Sequence, residues 1–225
     1  MKEIIQIAGI IDSAEANMLM DFGVDYLGFP LRLPVNKDDL TEEEAVEVIN
    51  LLHPPHKAVL ITYLDNNKDI IDFCDKLNVN VVQLHGKISL EELKTLKYNR
   101  PDIEVIKSLV VYGDNYTDLE NTVKTLSPWI DLYITDTYDP VSGASGATGK
   151  THDWQISRKL VAVSPKPIIL AGGLNPSNVR QAILNIKPAG VDVHTGVESP
   201  DGRKDYNLVK QFMSEAKLAF AEINK

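Results

Sequence analysis

The stretch Ile168-Ile169-Leu170-Ala171-Gly172-Gly173-Leu174-Asn175-Pro176 decides the fold. It sets a short apolar run against a Gly-Gly pair, followed by a potential helix cap and a proline suited to a first helical position. Beyond it, Val179, Ala182, Ile183 and Ile186 recur near the 3.6-residue period of a helix with one buried face. An apolar run without polar alternation is the pattern of a parallel strand covered on both sides. The unit reads as strand, glycine turn, helix.

The same unit recurs in both directions along the chain. Candidate strands cover 3–8, 26–29, 58–62, 79–84, 103–109, 132–135, 168–171 and 191–194. Amphipathic segments lie between them. Thr41 with Glu44, and Ser89 with Glu92, have the spacing of capping boxes. Ala45, Val48, Ile49 and Leu52 follow the first of these at helical period, and Leu208, Phe212, Met213 and Ala216 share one side of the last helix. Further helices are expected over 14–22, 68–77, 119–126 and 154–161. Eight repeats in 225 residues predict a (β/α)8 TIM barrel as one domain over 1–225, with a doubly wound open sheet as the alternative. Closure removes the exposed pairing edges that an open sheet leaves. It also directs attention to the residues just past each strand, where barrel active sites collect.

Composition narrows the function classes. Apolar residues make up 44% and charged residues 24%, which excludes a mainly disordered chain or a disulfide-stapled module. The 23 Lys and Arg stand against 32 Asp and Glu, a net charge of −9, so no general attraction to nucleic acid or anionic membrane is expected. A local basic pocket can still hold a small anion. Cys74 is the only cysteine; no intrachain disulfide can form, and a buried packing role is expected for it. No apolar run approaches the roughly 20 residues of a membrane span, and a cytoplasmic location is expected. The five histidines are dispersed without metal-ligand spacing, and no dinucleotide fingerprint follows the first strand. Phe73, Trp129 and Trp154 read as barrel–helix packing residues.

Two glycine-bearing loops carry a more specific signal. Gly172 and Gly173 follow the seventh strand, and Gly196 lies in Asp192-Val193-His194-Thr195-Gly196-Val197-Glu198 at the end of the eighth. Glycine lets backbone N–H groups approach a ligand closely, and barrels commonly hold phosphate at these two positions with a helix N-terminus. The alternative is a pair of tight turns. A third glycine-rich stretch, 143–150, follows the sixth strand. Gly143 stands one residue too far from Gly149 for GxxxxGK[ST], so it reads as a lid or phosphate-side loop, or as a plain surface connection.

The later motifs resemble the phosphoribosylanthranilate isomerase family. The resemblance is carried by Gln83-Leu84-His85-Gly86, by Asp136 at a strand end, by Gly146-Ala147-Thr148-Gly149-Lys150, by Ala171-Gly172-Gly173-Leu174-Asn175-Pro176-Ser177-Asn178-Val179, and by Gly196-Val197-Glu198 with Gly202-Arg203-Lys204-Asp205. It extends over almost the whole chain. It implies a compact barrel that opens the ribose ring of a phosphoribosyl anthranilate and moves a proton in an Amadori rearrangement, within tryptophan biosynthesis. It implies a small phosphorylated sugar substrate, no metal and no organic cofactor. A monomer or homodimer is expected.

That chemistry needs an acid at the ring oxygen, a base beside sugar C2 and a phosphate clamp for orientation. The resemblance gives Asp136 the acid role, with loop capping as its alternative. The base is where the sequence departs. Family members carry lysine, an apolar residue, cysteine and glycine at the end of the first strand; this chain has Gln6-Ile7-Ala8-Gly9. Ala8 cannot take a proton, and Gln6 removes a positive charge. His194 ends the eighth strand, which a closed barrel sets beside the first, so it is a candidate base or substrate contact; its position in the family more often holds a small hydroxylic residue. Gln83 and His85 are candidate substrate contacts. The family's arginine for the anthranilate carboxylate has no clean counterpart in the loop after the second strand, where Arg32 or Lys37 is the candidate, each equally readable as a solvated loop charge. Two other readings stay open: isomerisation of another phosphorylated sugar derivative, and a noncatalytic phosphosugar-binding barrel.

Overall fold

The computed structural model describes residues 3–34, 39–137 and 154–224. Its strands are β1 (Ile4–Ala8), β2 (Tyr26–Pro30), β3 (Lys57–Thr62), β4 (Val81–Leu84), β5 (Glu104–Val111), β6 (Leu132–Thr137), β7 (Ile168–Leu170) and β8 (Gly190–Val193). Its helices are α1 (Ser13–Asp21), α2 (Glu42–Ile49), α3 (Asn67–Leu77), α4 (Leu90–Asn99), α5 (Tyr116–Leu126), α6 (Trp154–Val163), α7 (Val179–Ile186) and α8 (Tyr206–Ile223). The strands pair in parallel in chain order, and β8 closes on β1 with Gln6 opposite Asp192 and Ile7 opposite Val193. The open-sheet alternative is thereby excluded.

The period of two along each strand divides the side chains between two cores. Ala8, Val59, Ile61, Val81, Ile106 and Ile169 point into the barrel. Ile7, Leu27, Leu60, Val82 and Leu170 point outward and pack under the helices, where they meet Phe73, Phe212 and Tyr133. Cys74 belongs to this outer layer and is fully buried; burial pushes its thiol up to about 12, so it is inert as an acid–base group. Trp129 and Trp154 pack on the same layer. Among the described residues, no helix is long and apolar enough to cross a membrane.

Local signals hold in some places and are diverted in others. Thr41 and Glu44 make both halves of the capping box that starts α2. Ser89 accepts from Glu92 N at the start of α4, but the Glu92 carboxylate instead takes Asn67 N and Nδ2 at 2.7 and 2.5 Å, tying α4 to α3. A tertiary donor has replaced the local one. The helix expected at Asn175-Pro176 begins only at Val179. Asn175 Oδ1 accepts from Ser177 N and Oγ, and Asn178 Oδ1 accepts from Asn175 N, so these residues form a tight turn before the helix. Strand β8 also stops one residue early, because His194 leaves the extended conformation at φ −121°, ψ −88°.

Candidate active site

At the C-terminal end of the barrel, inward-facing polar side chains form a chain from one wall to the other. Gln6 Nε2 on β1 donates to Gln83 Oε1 on β4 at 2.7 Å, and Gln83 Nε2 lies 2.8 Å from His85 Nε2. His85 Nδ1 stands 3.5 Å from Asp136 Oδ2 on β6, without hydrogen-bond alignment. On the other side of Gln6, Asp192 stands directly opposite it across the β1–β8 pair. Gln6, Gln83 and Asp136 are buried, and the His85 side chain is 6% exposed. Four buried polar atoms at this end have no partner among the described residues: Gln6 Oε1, Asp192 Oδ1, His85 Nδ1 and Ser108 Oγ. Buried polar atoms are normally satisfied, so such a gathering marks a place prepared for polar groups of a ligand.

Burial sets the protonation states here. It pushes Asp136 up to about 7; the Thr137 N–H at 2.8 Å opposes the shift, and the charge of Asp192 adds to it. Near neutrality Asp136 therefore carries its proton for much of the time. Burial, helped by the charge of Lys107, drives His85 down to about 3, which keeps it a neutral ring. Lys107 is itself lowered to about 8 by burial, its Nζ donating to the carbonyls of Leu84 and Ser108 at 3.0 and 3.1 Å. The Tyr63 ring stacks on His85 with centroids 5.4 Å apart and gives the rim an aromatic face.

The glycine loops lie beside this chain. Gly172 and Gly173 both have positive φ, at 94° and 66°, which a side chain would resist. A Cβ built on Gly196 would lie 1.9 Å from the carbonyl oxygen of Leu174, so the loops after β7 and β8 touch directly. Asn175 and Asn178 clamp the first loop through the carbonyl of Gly173. The N–H groups of Gly172, Gly173 and Gly196 make no hydrogen bond among the described residues, which leaves donors for an anion.

His194 sits at the junction of β8 and β1. Its ring covers Gly9, where a Cβ added to the glycine would fall 2.0 Å from Nε2, and Nε2 lies 3.3 Å from Glu198 Oε1. Lys204 Nζ, fully buried, holds the same oxygen at 2.5 Å. Burial tends to raise the Glu198 carboxyl, but hydrogen bonds from His194 and Lys204 outweigh it and hold it at about 2. Lys204 N in turn donates to Glu15, and Arg203 pairs with Asp12 at 2.6 Å, so the segment 198–204 is fastened to the start of α1. Glu198→Gln strands the buried Lys204 ammonium, and a loss of about 3 kcal/mol, or roughly 6–12 °C in Tm, is expected by calorimetry at pH 7. Because the folded carboxyl is depressed below its ordinary value of 4.5, this contribution is present above that value and fades as pH falls toward about 2. The variant and the native protein should therefore converge in Tm at low pH.

Not every expected residue reaches the mouth. Arg32 does not: its Nε and NH2 engage Glu42 at 2.8 and 3.2 Å, and its guanidinium lies 3.7 Å from the centroid of the Phe73 ring. A bidentate carboxylate and an aromatic face hold the side chain against α2 and α3. Lys37 lies outside the described residues, as does the glycine-rich stretch 143–150. Ser108 joins the site without a sequence motif to announce it, and Gln6 and Asp192, which lie in the quoted stretches, join it without a role that those stretches assign. Their signal is their inward parity on the strands, which becomes specific only once closure shows which parities meet.

A family model described as N-(5'phosphoribosyl)anthranilate (PRA) isomerase matches residues 5–215. N-(5'-phosphoribosyl)anthranilate isomerase 2 of Methanosarcina mazei is 34% identical over 220 residues, covering 97% of this chain and 96% of its own. Among solved structures, phosphoribosyl anthranilate isomerase from Thermotoga maritima superposes with a TM-score of 0.80 at 31% identity, covering 96% of this chain and 98% of its own. A phosphoribosyl anthranilate isomerase in complex with reduced 1-(o-carboxyphenylamino)-1-deoxyribulose 5-phosphate gives a TM-score of 0.78 at 28% identity, with the same coverage.

Proposed function

The chain belongs to the N-(5'-phosphoribosyl)anthranilate isomerase family, and on that premise we propose that it converts N-(5'-phosphoribosyl)anthranilate to its ribulose isomer with Asp136 as the acid. The observation that carries this reading is a buried carboxyl, raised to about 7, at the open end of the barrel beside two touching glycine loops. Asp136 gives its proton to the ring oxygen as the C1–O bond breaks and the nitrogen lone pair forms C=N. Removal of the C2 proton then returns electrons to nitrogen, and the resulting enol becomes the ketone as C1 is protonated. No redox partner is needed.

The phosphate rests on the N–H groups of Gly172, Gly173 and Gly196, far enough from the reacting carbons to fix orientation. Gln83 and His85 supply polar contacts to the sugar; with His85 neutral, it adds no charge beside Asp136. Two ionisable side chains stand near Ala8: His194, whose ring covers the next residue Gly9, and Asp192, which lies opposite Gln6 two positions back on β1.

One observation favours a second reading, isomerisation of a different phosphorylated sugar derivative: Ala8 stands where the family resemblance expects the cysteine base. A direct isomerisation assay with purified N-(5'-phosphoribosyl)anthranilate separates the two. Native protein forms product in the proposed reading. Product formed only by Ala8→Cys would assign the native chemistry to another substrate.

A further inference from the structure

We propose that Asp192 removes the C2 proton, the duty that the family's first-strand cysteine performs and that Ala8 cannot. The inference rests on the isomerase reading and deepens it. Strand closure sets Asp192 opposite Gln6, two positions along β1 from Ala8, which is about 6.6 Å of strand. Ala8, buried and without an ionisable group, is the next inward residue on β1 toward the mouth from this pair. Asp192 Oδ1 is shut off from solvent and has no partner among the described residues, while Gln6 faces it across the strand pair. A buried carboxylate facing a neutral amide, with an unused oxygen at the site, is built to accept a proton.

The two departures in Gln6-Ile7-Ala8-Gly9 then become one change. A lysine at position 6 would face Asp192 directly and, as a cation, weaken its basicity. Gln6 withdraws that charge in the same chain whose thiol is missing. Its amide is also oriented from outside, because the Gln83 amide accepts from it and is itself anchored at His85.

The groups facing Asp192 are His194 at the end of its own strand, Lys204 from the following segment, Gln6 from β1 and Asp136 from β6; β7 brings no ionisable side chain. His194 is a poorer base from its position, since its Nε2 is turned onto Glu198. Burial raises Asp192 to about 6, against the charges of His194 and Lys204 and the nearby Gln6 amide. Burial raises Asp136 as well, and the charge of Asp192 adds to that rise, so an ionised Asp192 favours a protonated Asp136 beside it. The rate should follow a bell with an acidic limb from the base and an alkaline limb from the acid, each apparent value belonging to the pair.

The test uses N-(5'-phosphoribosyl)anthranilate, unlabelled and deuterated at C2, with native protein, Asp192→Asn, His194→Ala and the double variant Ala8→Cys/Asp192→Asn. Thermal melting and binding of reduced 1-(o-carboxyphenylamino)-1-deoxyribulose 5-phosphate establish that each variant is folded with its site formed. Asp192→Asn is expected to lose about 10²–10⁴-fold in kcat with KM nearly unchanged and the acidic limb abolished. A cysteine at position 8 restores turnover in the double variant. His194→Ala acts mainly on KM and keeps the acidic limb. Active native protein with unchanged kcat in Asp192→Asn overturns the assignment alone, as does loss of the acidic limb in His194→Ala. Native protein inactive on this substrate overturns the isomerase reading and the assignment with it.

Discussion

Asp136→Asn is expected to lower kcat for N-(5'-phosphoribosyl)anthranilate by about 10²–10⁴-fold, the range for loss of a positioned general acid, the role proposed for Asp136. The amide keeps the shape of the side chain and can still accept from the Thr137 N–H. It has no proton acidic enough to pass to the ring oxygen, so the leaving alkoxide forms unaided. Folding is not at stake. The folded carboxyl titrates near 7, above its ordinary value of 3.8, so its contribution to stability is fully present below 3.8 and is lost as pH rises through about 7. At pH 8 the variant should melt at or above the native Tm, because a buried anion has been removed. A steady-state assay paired with melting at pH 6 and pH 8 checks both halves. Native turnover in a folded variant would remove Asp136 from the acid role and leave it as a loop cap.

Gly196→Ala should lower kcat/KM by about 100-fold, mostly through KM, since an ångström-scale displacement of a remote clamp misplaces the reacting atoms. The added methyl has nowhere to go: its position lies 1.9 Å from the Leu174 carbonyl oxygen and 3.1 Å from Asn175 Cβ. One of the two loops must move, and with it the N–H groups proposed to hold phosphate. Gly202 provides the contrast. It has φ 85° but open space around its Cβ position, so Gly202→Ala costs only backbone strain, about 1 kcal/mol, and KM stays near native. Competition by inorganic phosphate reads the same difference without turnover. Equal KM in both variants would place phosphate elsewhere.

Much of this fold is legible from the chain. A strand buried on both faces must be apolar at both parities, and a helix on the barrel must repeat near 3.6 residues; both signals are local and survive in Ile168–Leu170 and Val179–Ile186. The boundaries are less legible where a tertiary partner intervenes. Glu92 abandons its own helix cap for Asn67, and the Asn175 turn postpones α7 by three residues. Arg32 departs from expectation for a related reason. A basic residue in a loop near the mouth is equally able to turn outward, and Glu42 and Phe73 offer a better-matched resting place than solvent.

The repeating unit, the glycine loops and the strand end that carries Asp136 can all be read locally, because each depends on residues within a few positions of one another. Barrel closure was needed to set Asp192 opposite Gln6, to bring Gln6 to Gln83 across the barrel, and to turn His194 to Glu198 over Gly9. The physical reason is that side-chain parity is set along one strand, whereas the neighbours of an inward residue are set by how eight strands stagger as they close. Gln6 and Asp192 stand at opposite ends of the chain, and no local pattern couples them until the last strand pairs with the first.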